Sequence, residues 1–241
     1  FSGRVETNAL DLGKILADKR FGNISTQIDI DGKLPARGSV YVKAKGDVKE
    51  FFYNAYSYKN IAVDGEWDNG TFDGKLNIKD PNVNFDLQGQ FNLTSKQPFA
   101  KLKAEVTNFN PSALSLTKLW PNTQFSFAVM ADIKGNSLNT ANGRVQLDRF
   151  AMLSDAKSYK LNTISVDVSN NNQQHSLAVN SDFGQILLTG KYNYNTLAQS
   201  LTNLIGSKVP TMPGLPKVTN AQTNNFTISA NVDNTDWLQH I

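Results

Sequence analysis

The sequence predicts a mainly β protein, a repetitive antiparallel meander with one apolar face and one wet face. Three observations carry this. Val83, Phe85, Leu87, Gly89, Phe91 and Leu93 alternate with Asn84, Asp86, Gln88, Gln90 and Asn92, and successive strand side chains point to opposite faces. The continuous apolar runs of a parallel sheet covered on both sides are nearly missing. Turn residues recur about every ten positions: the chain holds 28 asparagines in 241 residues, many of them where a turn is needed.

The same alternation recurs along the chain. Ala100, Leu102, Ala104 and Val106 alternate with lysines and a glutamate, and Phe125, Phe127, Val129, Ala131 and Ile133 follow the same rule. So do Ile186, Leu188, Gly190, Tyr192 and Tyr194. Asn69-Gly70, between strands over 61–64 and 72–78, predicts a hairpin turn with positive φ at both central residues. Asp80-Pro81-Asn82, Gly135-Asn136 and Asn170-Asn171-Asn172 punctuate later strands. By this criterion there are about eleven or twelve strands.

Three segments break the period. Leu12, Ile15 and Leu16 predict a short helix. Asn110-Pro111 opens a second, stopped by Trp120-Pro121. Residues 196–209 predict a third, with Leu197, Leu201, Leu204 and Ile205 on one face and a Thr196/Gln199 capping box. Three of the eight prolines crowd into 210–216, which reads as an extended loop.

Residue pairs recur at offsets of about 100 to 103. Thr7-Asn8 returns as Thr107-Asn108, Ser57-Tyr58-Lys59 as Ser158-Tyr159-Lys160, and the 85–93 strand as 186–194. A third copy starts near Phe226, where Ile228, Ala230 and Val232 match Leu102, Ala104 and Val106 at a longer offset of about 126. The organisation is then a first β repeat over 1–99, a second over 100–195, an inserted helix and proline loop over 196–224, and the start of a third repeat over 225–241. A sheet of this length curls or splits, and periodicity alone leaves open a packed sandwich or an open trough. The Phe1-Ser2-Gly3 start reads as the beginning of an excised piece, so targeting information is expected to lie outside it.

Composition narrows the chemistry. With no cysteine and only His175 and His240, thiolate chemistry is excluded and little remains for a zinc or catalytic constellation. No Gly-rich phosphate loop is present. Asp64, Glu66 and Asp68 superficially resemble a calcium loop, but Lys75 stands where the bidentate glutamate belongs, so they read as a hairpin tip. His175 reads as an exposed loop residue. Phe51, Phe52, Tyr53, Tyr56 and Tyr58 could stack on single-stranded nucleic acid, but a packed edge strand is favoured. The expectation is no enzymatic centre, no cofactor, no metal and no nucleic-acid partner. The net charge is +3, and the dispersed lysines read as a solvated face.

The stretch from Gly74 to Gly89, with its strand, Asp80-Pro81-Asn82 and strand, resembles an element of large TamB-like proteins of the AsmA superfamily. The strand that runs into a short Leu-rich helix over 104–116 is similar to theirs. So is the 197–204 helix ahead of a proline loop and Asn225-Phe226. The resemblance covers nearly the whole chain, and the order of elements carries most of it. It implies a curled, open β-taco trough with short helices between repeats. It also implies a periplasmic location within a protein anchored in the inner membrane of a diderm bacterium. The implied partners are phospholipid acyl chains, an outer-membrane assembly barrel and further repeats of the same chain. On that reading the trough is lined by Val83, Phe85, Leu87, Phe91, Leu93, Phe125, Phe127, Val129, Ile186, Leu188 and Tyr192. The stripe Leu197, Leu201, Leu204 and Ile205 is then a lid. The alternative is a β-sandwich scaffold binding protein or glycan.

Overall fold

The computed structural model describes residues 1–33, 40–155, 157–171, 174–208 and 224–233. Thirteen strands and two helices follow one another. They are β1 (Ser2–Asp11), α1 (Leu12–Leu16), β2 (Phe21–Lys33), β3 (Tyr41–Tyr53), β4 (Tyr56–Asp68), β5 (Thr71–Asp80) and β6 (Val83–Asn92), then β7 (Phe99–Phe109), β8 (Gln124–Lys134) and β9 (Asn142–Leu153). The rest are β10 (Ser158–Asn170), β11 (His175–Ser181), β12 (Gly184–Lys191), α2 (Tyr194–Lys208) and β13 (Asn225–Val232). The strand order in the sheet is the order in the sequence, β1 to β13, with antiparallel pairing throughout β1–β7 and β10–β13. The protein is thus mainly β, an open meander. The chain divides into two compact units, Phe1–Asp132 with Val145–Thr163, and Ile133–Arg144 with Ile164–Ile241.

Turn chemistry sets the register. Asp68 pairs with Thr71, and Asn69 and Gly70 sit at φ 47° and 82°, the primed turn expected of Asn-Gly. Tyr53 pairs with Tyr56 across Asn54 and Ala55, which also sit at positive φ, 50° and 65°. Alanine rarely adopts this conformation, so Asn54-Ala55 lacks the usual composition of a primed turn. It makes β3 an interior strand with β2 and β4 on either side, not the edge strand expected, because β1 and β2 lie outside it.

The helical segments differ in detail from expectation. Asp11 caps α1 by accepting from the Lys14 N–H at 3.1 Å, and Ala17, left-handed at φ 53°, ends it. After β7 the expected helix is a succession of turns. Asn110 does accept from the Ala113 N–H at 3.0 Å as a cap would, but Ser115 adopts φ 59° and stops the winding after one turn. That turn buries Leu114 to 1% exposure. α2 starts two residues earlier than Thr196: Asn193 Oδ1 accepts from the Asn195 N–H at 2.9 Å, while the Thr196 hydroxyl donates to the Asn193 carbonyl. The capping box is therefore displaced by an asparagine cap. The proline loop over 210–216 and His240 lie outside the described residues.

The equivalent glycines Gly89 and Gly190 sit at φ 151° and 144°. A Cβ on Gly89 would lie 2.4 Å from the Lys101 carbonyl oxygen and 2.5 Å from Leu102 Cα; on Gly190 it would lie 2.3 Å from Asn225 O and 2.7 Å from Phe226 Cα. Both point at the next strand's backbone, which cannot yield. The register pairs Gly89 with Leu102 and Gly190 with Phe226. This equates Leu102 with Phe226, two residues short of the spacing read from the alternation.

Gly89→Ala is expected to cost about 2 kcal/mol or more in urea unfolding, from this backbone conflict. Gly206, inside α2 with open space around it, should respond with the opposite sign. Gly206→Ala is expected to raise helicity by circular dichroism and to be neutral or stabilising, by up to about 1 kcal/mol.

Candidate functional site

In the first unit the register builds apolar rows across the strands. Ile61, Ile78, Phe85 and Val106 stand directly opposite one another from β4 to β7. The next row is Val63, Leu76, Leu87 and Ala104. The row after that is Gly65, Gly74, Gly89 and Leu102, and beyond it lie Trp67, Phe72, Phe91 and Ala100. Opposed residues of an antiparallel pair share a face and touch, so these four rows form one apolar surface. The side-chain-free row of glycines runs between a leucine row and an aromatic row.

Few of these side chains are fully buried. Val83, Val106 and Leu114 form the buried cluster, with Tyr56, Tyr58, Ile78, Phe85, Phe109 and Phe127 packed against it. Leu87, Phe91, Phe125 and Val129 are half-buried, although all lie on strands. Leu93 lies one residue past β6 and is 68% exposed. Phe125 packs on Phe109, Trp120 and Phe150 at ring separations of 6.3, 5.5 and 6.2 Å. The alternation in Phe72, Gly74, Leu76 and Ile78 carried the same signal as β6, and β5 belongs to this face on the same grounds.

The second unit repeats the pattern. Val168, Leu177, Leu188 and Ile228 form one row, and Val166, Val179, Ile186 and Ala230 the next. Leu188 is buried and Ile186 exposed. Tyr192 is buried just beyond β12, between His175 at 5.2 Å, Tyr194 at 5.1 Å and Phe226 at 6.3 Å. His175 opens β11 and contacts Asn170 Oδ1 at 2.5 Å. It is a packed strand residue, not the exposed loop residue expected, because pairing with Asn170 and Gly190 draws it into the sheet. In α2, Leu197 and Leu201 are half-buried while Leu204 and Ile205 are exposed.

The opposite face is polar. In the first unit a groove of about 930 Å³ lies over β5 to β9, lined among others by Asn77, Asp86, Gln88, Lys103, Glu105 and Arg149. Arg149 reaches Glu105 at 3.2 Å, and the Asn77 carboxamide donates to Asp86 at 3.2 Å. The carboxylates once compared with a calcium loop separate: Asp64 pairs with Lys45 at 2.8 Å, and Glu66 accepts from the Tyr41 hydroxyl at 3.3 Å. The Lys45 ammonium holds the Asp64 carboxyl below its usual range. Of the aromatics weighed for nucleic acid, Phe51 and Tyr53 cluster with Phe21, and Tyr58 joins the buried cluster.

Asp80 is the one buried carboxylate of the apolar side among the described residues, at 3% exposure. It accepts from the Tyr56 hydroxyl, from the Lys59 N–H at 2.9 Å and from the Asn82 N–H at 2.9 Å. The turn residue thus ties the start of β4 to the β5–β6 turn. A comparison of the chain with protein-family models, curated proteins and solved structures finds no match.

Asp80→Ala removes one acceptor from three donors and is expected to cost roughly 2–4 kcal/mol, read as a lower urea midpoint. A pH dependence follows from the tyrosines. Burial holds the Tyr192 phenol well above its ordinary range, with the Tyr194 hydroxyl adding to it. Burial also raises Tyr56, and Asp80 adds to that. Folding therefore favours the neutral phenols. Their contribution is fully present below about pH 10 and is lost as pH rises beyond it. The urea midpoint should fall above about pH 10, and less steeply in Tyr192→Phe.

Proposed function

We propose that this chain binds lipid acyl chains on its apolar sheet face, as a periplasmic segment of a TamB/AsmA-like protein that moves lipid toward the outer membrane. The carrying observation is the set of apolar rows across β4 to β7, whose members are half-buried except for the buried Val106 and the exposed Trp67. Four strands at about 4.8 Å spacing give an apolar path of roughly 15 Å. Such a surface binds by area, near 25 cal/mol per Å² and about 0.8 kcal/mol per buried CH₂, with no polar group to fix a head. It tolerates sliding and requires no catalytic group, cofactor or nucleic acid. In this proposal further repeats of the same chain extend the apolar face, and an outer-membrane barrel receives the cargo.

The test is titration with a fluorescent fatty acid. Leu87→Asp should weaken binding at least tenfold, since a charge on the path costs more than 1.4 kcal/mol. Gln88→Asp, on the opposite face of the same strand, should leave it unchanged. Equal effects of the two would sink the reading. A second reading, a module binding protein or glycan, is favoured by the polar groove over β5 to β9. It predicts that Gln88→Asp alone disturbs binding, to an immobilised glycan or protein.

The lid is part of the proposal. α2 has no buried residue, and its Leu204 and Ile205 are exposed, so little core would be lost with it. Replacing residues 196–220 by a short flexible linker should leave the sheet folded and raise acyl-chain affinity. An unfolded product would make α2 ordinary core. A folded product with unchanged affinity would end the lid while leaving the acyl path standing.

A further inference from the structure

One end of the first unit carries exposed apolar side chains that the sheet does not use. Between β7 and β8 stand Leu116, Leu119 and Trp120, with Leu119 75% exposed. Ile15 and Leu16 of α1 are exposed, at 62% for Ile15, and Leu153 at the end of β9 is exposed as well. Singly such residues are ordinary; six at one end of a unit are not.

Hydrogen bonds hold these segments side by side. Asn54, in the β3–β4 turn, donates its backbone N–H to the Arg20 carbonyl at 2.8 Å and its carboxamide to the Ser115 carbonyl at 3.0 Å. It thereby straps the segment after α1 to the β7–β8 loop. Asn122 donates to Asp155 at 2.9 Å, strapping that loop to the β9–β10 turn. Leu114, buried in the Val83/Val106 cluster, pins the loop from inside. A loop fixed at three points cannot fold its leucines and tryptophan back into the protein.

The charges at this end are biased. Lys14 pairs with Asp11 and Arg20 with Asp18, which cancels them. Lys19, Lys118 and Lys157 make no ion pair with any described residue, and Asp155 is the acid set against them. Tryptophan and leucine flanked by unpaired lysines is the composition of a surface that sits at the headgroup level of an anionic bilayer. Trp120 also packs on Phe125, and Phe125 on Phe109, so the tip is joined by aromatic contacts to the cluster that floors the apolar face.

We propose that this end of the first unit docks on an anionic lipid bilayer, with Leu116, Leu119 and Trp120 inserted at the headgroup boundary. Its partner is the bilayer surface, and it gives the apolar face an entry point. That last role rests on the acyl-binding reading; the docking itself does not.

The test uses the full chain with Trp67→Phe and Trp237→Phe, so that Trp120 is the sole tryptophan fluorophore. Equimolar phosphatidylethanolamine and phosphatidylglycerol vesicles are the probe. Trp120 emission should shift to the blue and be quenched by brominated acyl chains. Leu119→Asp, at an exposed position that leaves the urea midpoint unchanged, should reduce vesicle co-sedimentation about tenfold or more. Leu87→Asp should not reduce it. Vesicle binding without quenching of Trp120, or unchanged by Leu119→Asp, overturns the proposal. So does the absence of vesicle binding, including the case where these residues serve a protein partner. If monomeric fatty acid still binds when vesicles do not, docking fails while the acyl path stands; if vesicles bind and fatty acid does not, the reverse holds.

Discussion

Strand-to-strand hydrogen bonding between sequence neighbours is the constraint on which this structure depends. In a meander ordered β1 to β13, every interior strand satisfies most of its backbone groups through the strand before it and the strand after it, with a few side chains such as Asp80 serving the rest. Pairing is complete without a second layer, so burial is not what closes the fold. Only eight hydrophobic side chains are buried among the described residues. The rest of the apolar face shields itself sideways, each residue half-covered by its opposite number on the next strand.

Register then carries more weight than in a packed sandwich, because a one-residue slip would turn an entire apolar row to water. Two devices fix it. Tight turns set the pairing at Asn54-Ala55, Asn69-Gly70 and Pro81-Asn82. Residues in conformations open mainly to glycine or asparagine mark places where a side chain would strike the neighbouring backbone. Gly89 is one, with only 2.5 Å between its missing Cβ and Leu102 Cα. The buried carboxylate of Asp80 joins both devices, since it serves its own turn and the β4 backbone together.

The two faces and the loop end have different chemistry for one reason. The period-two alternation separates apolar from polar side chains across the sheet. The loops escape that rule, and there polar straps, together with the buried Leu114, decide where apolar residues point. Asn54 is the clearest case, since its two hydrogen bonds keep two loops abreast.

The sequence by itself determined the class of fold, its repeating order and much of the apolar face. Alternation is a local property, and Phe85, Leu87, Phe127 and Leu188 could be placed on strands from their neighbours alone. It also determined the Asn69-Gly70 turn, because that pair has few other uses between strands. What it missed depended on partners distant in sequence. His175 looked like a loop residue until Asn170 and Gly190 paired with it. The Asn110 helix looked complete until Leu114 was drawn into the Val83/Val106 cluster and Ser115 turned left-handed. Which side chains are buried, and which loops stand together at one end, were decided only by tertiary contacts. Burial is a sum over neighbours from the whole unit, and no local pattern of residues encodes it.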